Sequence, residues 1–152
     1  VKVVFTVPGE PQGKGRPRFS KRGSFVKVTT PYETVVYENL IRVEYQRQVG
    51  IRRFEDSDML DLRILAYYAI PESASKKKKK AMEAAEVRPT KKPDADNVLK
   101  IVADSLNQLA YRDDAQVVDT QIHKFYSHQP RLEISIQNIE TSKEDDDEQD
   151  QH

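Results

Sequence analysis

The chain has 152 residues, no cysteine, 25 Lys and Arg against 25 Asp and Glu, and 37% hydrophobic residues. That length suits one domain with a single core. The lack of cysteine excludes a disulfide framework and a thiolate zinc site and fits a reducing, cytoplasmic setting. No apolar run is long enough to span a bilayer and no signal-peptide pattern opens the chain, so no membrane partner is expected.

The zero net charge conceals an uneven distribution. Residues 143–152 hold one Lys against six Asp and Glu, so the rest of the chain is basic by about five charges. The expected organisation is a folded domain over residues 1–140 and an acidic tail over 141–152. The tail lacks the apolar residues a core requires and is expected to be disordered.

In chain order, Val1–Val7 predicts a strand in which Val3, Phe5 and Val7 alternate with Lys2, Val4 and Thr6. Pro8–Arg22 reads as a Gly/Pro/Lys/Arg loop, and Ser24–Val28 is compatible with a short second strand. A helix is predicted over Tyr32–Val49, with a stripe of Val36, Leu40 and Val43 widened by Tyr37, Ile41 and Tyr45. Thr30 would cap it, with Pro31 in its first turn. Leu60–Ile70 predicts a central strand. Ser73 or Ser75 then caps a polar helix to about Glu86, before a Pro-punctuated loop over Val87–Pro93.

The next helix, Asp96–Leu109, should bury Leu99, Val102, Leu106 and Leu109. Gln116–Tyr126 and Arg131–Ile139 read as paired strands. The fold class is therefore α+β: a mixed sheet of about four or five strands flanked by helices.

The strongest chemical signal lies in Lys92-Pro-Asp-Ala-Asp-Asn-Val-Leu-Lys100 and Tyr111-Arg-Asp-Asp-Ala-Gln-Val117. Asp94 and Asp96 stand at the entrance of the helix, and Asp113 and Asp114 follow its end. Asp96, Lys100 and Asp104 recur at i, i+4 and i+8, with Asn97 beside them. If the chain folds back so that the two pairs meet, four carboxylates share one small volume. At about 4 Å and an effective dielectric near 20, each like-charge pair costs roughly 4 kcal/mol. A hard cation, Mg²⁺ or Mn²⁺, would relieve that repulsion. The bland reading, a capped helix with i, i+4 ion pairs, leaves Asp94 and Asp113–Asp114 without a role.

These residues carry a family resemblance. Asp94-x-Asp96-Asn97-x-x-Lys100, Asp104, Asp113-Asp114-Ala115-Gln116-Val117-Val118 and Lys124 resemble the RusA-type Holliday-junction resolvases. Gly13-Lys-Gly-Arg-Pro-Arg-Phe19 and the lysine run after Ser75 are similar to the Gram-positive and phage branch, often carried by prophages. The resemblance implies a RusA-like homodimer that cuts four-way junction DNA by paired nicks, in recombination and repair. It implies Mg²⁺ and no organic cofactor. Asp94, Asp96 and Asp114 would bind metal with help from Asp113, Lys100 would be catalytic, and Asn97 and Asp104 would stand behind them.

Lys14, Arg16, Arg18, Lys21 and Arg22, then Lys76, Lys77 and Lys80, and finally Lys124 are candidate DNA contacts. Gly9-x-x-x-Gly13-Lys14-Gly15 is not a P-loop, since it is one residue short and no Ser or Thr follows the lysine. Phe19, Phe25, Tyr111 and Tyr126 are either base-stacking or core residues. His123 and His128 read as strand and turn residues rather than ligands. The rival readings are a non-catalytic junction or single-strand binding module and a nuclease for flaps or forks.

Overall fold

Val3, Phe5 and Val7 of β1 (Lys2–Pro8) are buried while Lys2 and Val4 face out, as their alternation predicts. The computed structural model describes residues 1–141. All of the acidic tail expected over 141–152 except Thr141 lies outside the described residues. After β1 come β2 (Arg18–Arg22) and β3 (Phe25–Thr29), then α1 (Tyr32–Gln48), β4 (Leu60–Ala69) and α2 (Lys76–Glu83). They are followed by α3 (Ala95–Ser105), β5 (Val117–Ser127) and β6 (Arg131–Asn138).

The main sheet is mixed and four-stranded, in the order β1-β6-β4-β5. β4 pairs in parallel with β5 and antiparallel with β6, which in turn pairs antiparallel with β1. This corrects the expected pairing of β5 with β6. β4 lies between them, as suits a strand whose Leu60, Leu62, Ile64, Ala66 and Tyr68 are all buried. Ile64 sits level with both Ile134 and Ile122, so one apolar layer runs across the sheet.

α1 and α3 pack on each other and cover this layer, α1 over β1 and α3 over β5. α1 buries Tyr37, Ile41 and Tyr45, and the predicted stripe of Val36 and Val43 faces solvent. Tertiary docking selects between two apolar faces here. Gln48 exchanges two hydrogen bonds with the backbone of Thr6, at 2.9 and 2.7 Å, which locks the helix end to β1. Pro31 rather than Thr30 stands at the cap of α1, and α2 begins at Ser75, whose hydroxyl accepts from the Lys78 N–H at 3.2 Å.

α3 starts one residue earlier than predicted and ends four earlier. Gln108, beyond the Leu106 cap, takes a left-handed conformation (φ +64°), so the helix cannot run on to Leu109. Leu99 and Leu109 are only half-buried, and Val98 and Ile101 fill the core with Val102 and Leu106. The loop before α1 is also more ordered than its composition suggests: β2 and β3 form a separate two-stranded hairpin.

Candidate active site

With Val98, Ile101 and Val102 buried, α3 turns Asp96, Lys100 and Asp104 away from the core. The entrance of α3 is tied to β4: the buried Tyr68 donates its hydroxyl to the Pro93 carbonyl at 2.7 Å. Asp94 occupies the cap position, yet its carboxylate makes no capping bond. It lines an open cleft of about 710 Å³ together with Lys14, Arg16, Lys92 and Asn97.

The opposite wall is the loop before β2. Gly13 approaches α3 so closely that a Cβ there would lie 2.9 Å from Asn97 Cβ and 3.1 Å from Pro93 Cβ. This contact lets the Lys14 N–H donate to the Asn97 carbonyl at 3.4 Å. The Lys14 ammonium then reaches the Asp104 carboxylate, two turns along the same helix. Gly15 is equally confined, its N–H donating to Thr34 Oγ1 at 3.0 Å.

Beyond the end of α3, Asn107 Oδ1 accepts the Asp114 N–H at 2.8 Å. Asp113 caps the short 3-10 turn Asp114–Gln116, accepting the Ala115 N–H at 2.8 Å. That bond, with a further contribution from Asp114, holds the Asp113 carboxyl below the usual carboxylate range. Asp114 moves the other way. Burial pushes its pKa up to about 6, and the neighbouring Asp104 and Asp113 add to the rise. The hydrogen bond to Asp104 holds the Lys14 ammonium above its ordinary pKa.

Asp104, Asp113, Asp114 and Lys14 therefore meet at one end of α3, and Asp94 and Asp96 stand at the other. Eight residues of helix put Asp96 about 12 Å along the axis from Asp104. The four predicted carboxylates do not share one small volume. Among the described residues, no three acidic, His or Cys side chains converge on a metal position.

The donor set still fits a hard divalent cation. Asp94 and Asp96 make no ion pair or side-chain hydrogen bond among the described residues, so their oxygens are open to ligate. Asp114 sits where negative charge is poorly compensated. Mg²⁺ is usually held by one or two carboxylates, with water and substrate phosphate completing its shell, so a full protein cage is not required.

Comparison with known proteins settles the lineage. The sequence profile of a family described as endodeoxyribonuclease RusA matches residues 8–137. The chain belongs to the RusA endodeoxyribonuclease family. An uncharacterized protein of Bacillus subtilis (strain 168), YqaN, is 38% identical over 139 residues, covering 90% of this chain and 96% of that protein. The matched span runs from the end of β1 to β6, so the family's sequence pattern includes both walls of the cleft.

Within this RusA-family domain the other candidate residues divide. Arg16, Arg18, Lys21 and Arg22 are exposed, as are Lys76, Lys77 and Lys80 on α2. Lys124 is half-buried: it donates to the Lys91 carbonyl at 2.7 Å and lies 4.9 Å from the centre of the Tyr68 ring. It braces the loop leading to Asp94. Tyr111 is fully buried and Tyr126 packs against the core, whereas Phe19 and Phe25 are exposed. His123 stacks on Phe125, and His128 pairs with Glu83 at 2.6 Å. Tyr68, Asn107 and the inward role of Lys14 carry no local sequence signal, apart from the glycines either side of Lys14 that allow its backbone to close on α3. No helix of the described residues is long and apolar enough to cross a membrane.

Proposed function

We propose that this protein is a Mg²⁺-dependent, structure-specific endodeoxyribonuclease that acts as a homodimer and resolves four-way DNA junctions by paired nicks in recombination and repair. The observation that carries the reading is the cleft at the start of α3. The uncapped carboxylate of Asp94 shares it with Lys14, Arg16 and Lys92. Cations draw a phosphate to the place where hard oxygen ligands stand.

Asp94 and Asp96, with Asn97 behind them, would hold the Mg²⁺ at the start of α3. Asp114, assisted by Asp113 and with Asp104 behind it, stands at the other end of the helix and would ligate the same ion only if the two ends draw together. When bound, the ion supplies polarisation of the scissile phosphate and acidification of a water. Lys100, exposed one turn beyond Asp96, offsets charge that builds on the phosphate or on the leaving oxygen. Arg16, Arg18, Lys21 and Arg22, with Lys76, Lys77 and Lys80 on α2, hold the flanking backbone of the DNA. The resemblance implies 5′-phosphate and 3′-hydroxyl products. A two-fold dimer suits a junction, which presents two symmetry-related strands for cutting.

The test is cleavage of four-way junction, fork, flap and linear duplex side by side, in Mg²⁺ and in EDTA. Paired nicks in the junction that require Mg²⁺ support the reading. Cutting that survives EDTA, or that treats linear duplex like the junction, overturns it. Cutting of forks or flaps alone would transfer the activity to those substrates.

A further inference from the structure

Residues 11–32 contain six Lys and Arg and no Asp or Glu. Most of this segment is the β2–β3 hairpin, which lies outside the main sheet and exposes every residue of both strands. An isolated two-stranded hairpin is marginal in water, so a partner must cover it for its geometry to persist. Its root is firmly set, with Gly13 and Lys14 against α3 and Gly15 against Thr34. The arm thus springs from the wall of the candidate active site and reaches roughly 15–20 Å beyond it.

The register separates two faces. Arg18 pairs with Thr29, Ser20 with Lys27 and Arg22 with Phe25, so these side chains share one side of the ribbon. Phe19, Val28, Lys21 and Val26 share the other. The first side carries three cations and, beside the two-residue Gly23–Ser24 turn, one aromatic ring. Phe25 is 79% exposed at the very tip. Arg18, Arg22 and Lys27 make no ion pair among the described residues.

This arrangement suits a nucleic acid better than a second copy of the chain, which would bring an equally uncompensated positive hairpin. A two-stranded ribbon also has the dimensions of a DNA groove. We infer that the hairpin is a DNA-parting arm: Arg18, Arg22 and Lys27 hold phosphates while Phe25 stacks on an unpaired base at the branch point of the DNA. The inference rests on the nuclease reading of the adjoining cleft, and it adds a division of labour that the cleft does not require. At a branch, the base next to the crossing strands has already lost part of its stacking, so an inserted ring meets little opposition there.

The experiment measures fluorescence anisotropy of a labelled four-way junction and of a linear duplex of equal length, in EDTA so that neither is cut. Phe25→Ser should weaken junction binding by roughly 5- to 150-fold, the range for losing one base–aromatic stack. The loss should be confined to the branched DNA, and Phe25→Tyr should restore it. Replacing Arg18, Arg22 and Lys27 together with Ala should weaken both DNAs and flatten the salt dependence by up to about 0.9 per phosphate contact. Junction binding by Phe25→Ser equal to that of the wild type overturns the inference, as does an equal loss on both DNAs. Sedimentation showing that Phe25→Ser dissociates a dimer would make a second copy the occupant and also overturn it. Cleavage by the wild type in Mg²⁺ tests the nuclease reading separately. A protein that cuts but ignores Phe25 refutes only the arm, and one that binds through Phe25 without cutting refutes only the nuclease.

Discussion

Lys14 donates its backbone N–H to the carbonyl of Asn97 and its ammonium to the carboxylate of Asp104, so one loop residue spans two turns of α3. Its positive charge lies at the Asp104 end of the helix, within reach of the Asp114 charge. The loop is held against α3 by an internal cation at the place where the proposed chemistry needs an external one.

Lys14→Ala should therefore change metal response more than fold. Losing an ion pair between partly exposed groups costs about 0.2–1 kcal/mol, or a few degrees in Tm for a domain of this size. In the same variant, Mg²⁺ should raise Tm by more than it does in the wild type, because the ammonium no longer competes for Asp104 and its neighbours. Calorimetry with and without Mg²⁺ measures both effects. Equal increments in the two proteins would show that Lys14 does not compete.

Asp114 makes stability depend on pH in an unusual direction. Its pKa is raised from an ordinary 3.8 to about 6, so the folded state binds this proton more tightly than the unfolded state does. Its contribution is therefore a penalty, absent below about 3.8, growing as pH rises and complete above about 6. A shift of that size corresponds to at most about 3 kcal/mol, and less after solvent screening of a partly exposed group. Asp114→Asn should stabilise the protein by about 1–2 kcal/mol at pH 7 and give little gain at pH 4. Urea unfolding across that range checks it. A gain that does not vary with pH would remove ionisation as the cause.

The parts of the fold that were legible in the sequence are those decided by local period. The Val3, Phe5, Val7 alternation and the run from Leu60 to Tyr68 predicted β1 and the central β4 because each strand buries one face. α1 was legible as a helix, but both of its faces are apolar, and tertiary contacts select the buried one: Tyr45 against Phe5, Arg42 on the Ser105 carbonyl and Gln48 on Thr6. The strand Arg18–Arg22 was missed because Phe19 is its one apolar residue, which leaves no alternation to read; its pairing depends on a turn at Gly23 (φ +61°). At the site, motif spacing placed each acidic residue correctly at an end of α3. Spacing does not state how far apart those ends lie, nor that Lys14 crosses 90 positions of chain to reach Asp104.

Gly13→Ala should disrupt the cleft without touching a charged group. The added methyl would lie 2.9 Å from Asn97 Cβ, with Pro93 Cβ at 3.1 Å, and both belong to backbone that β4 and α3 hold in place. Overpacking of this kind costs typically 1–3 kcal/mol. The loop should instead move off α3, breaking the Lys14–Asn97 bond and loosening the root of the hairpin. Amide hydrogen exchange should rise at Lys14 and Gly15, with β1 and β4 unaffected. Unchanged protection at Lys14 would mean that α3 gives way instead.

Lys100 and the lysines of α2 should fail in different ways. Lys100 lies one turn beyond Asp96 on the exposed face of α3, where an ammonium can reach a phosphate held at the start of the helix. Lys100→Ala should lower the single-turnover cleavage rate by about 10²–10³, the scale for removing one contact to charge developing in the transition state. Binding should change little, since only one of many phosphate contacts is lost. Replacing Lys76, Lys77 and Lys80 with Ala should do the reverse: affinity falls, and the slope of log affinity against log salt flattens by up to about 0.9 per contact. The bound complex should still cut at close to the wild-type rate, because α2 carries none of the candidate metal ligands. Asp96→Asn gives the reference point, with cutting abolished and junction binding kept or tightened as a negative charge is removed. If Lys100→Ala instead weakens binding and leaves the single-turnover rate intact, Lys100 is one more phosphate clamp and has no part in the chemistry.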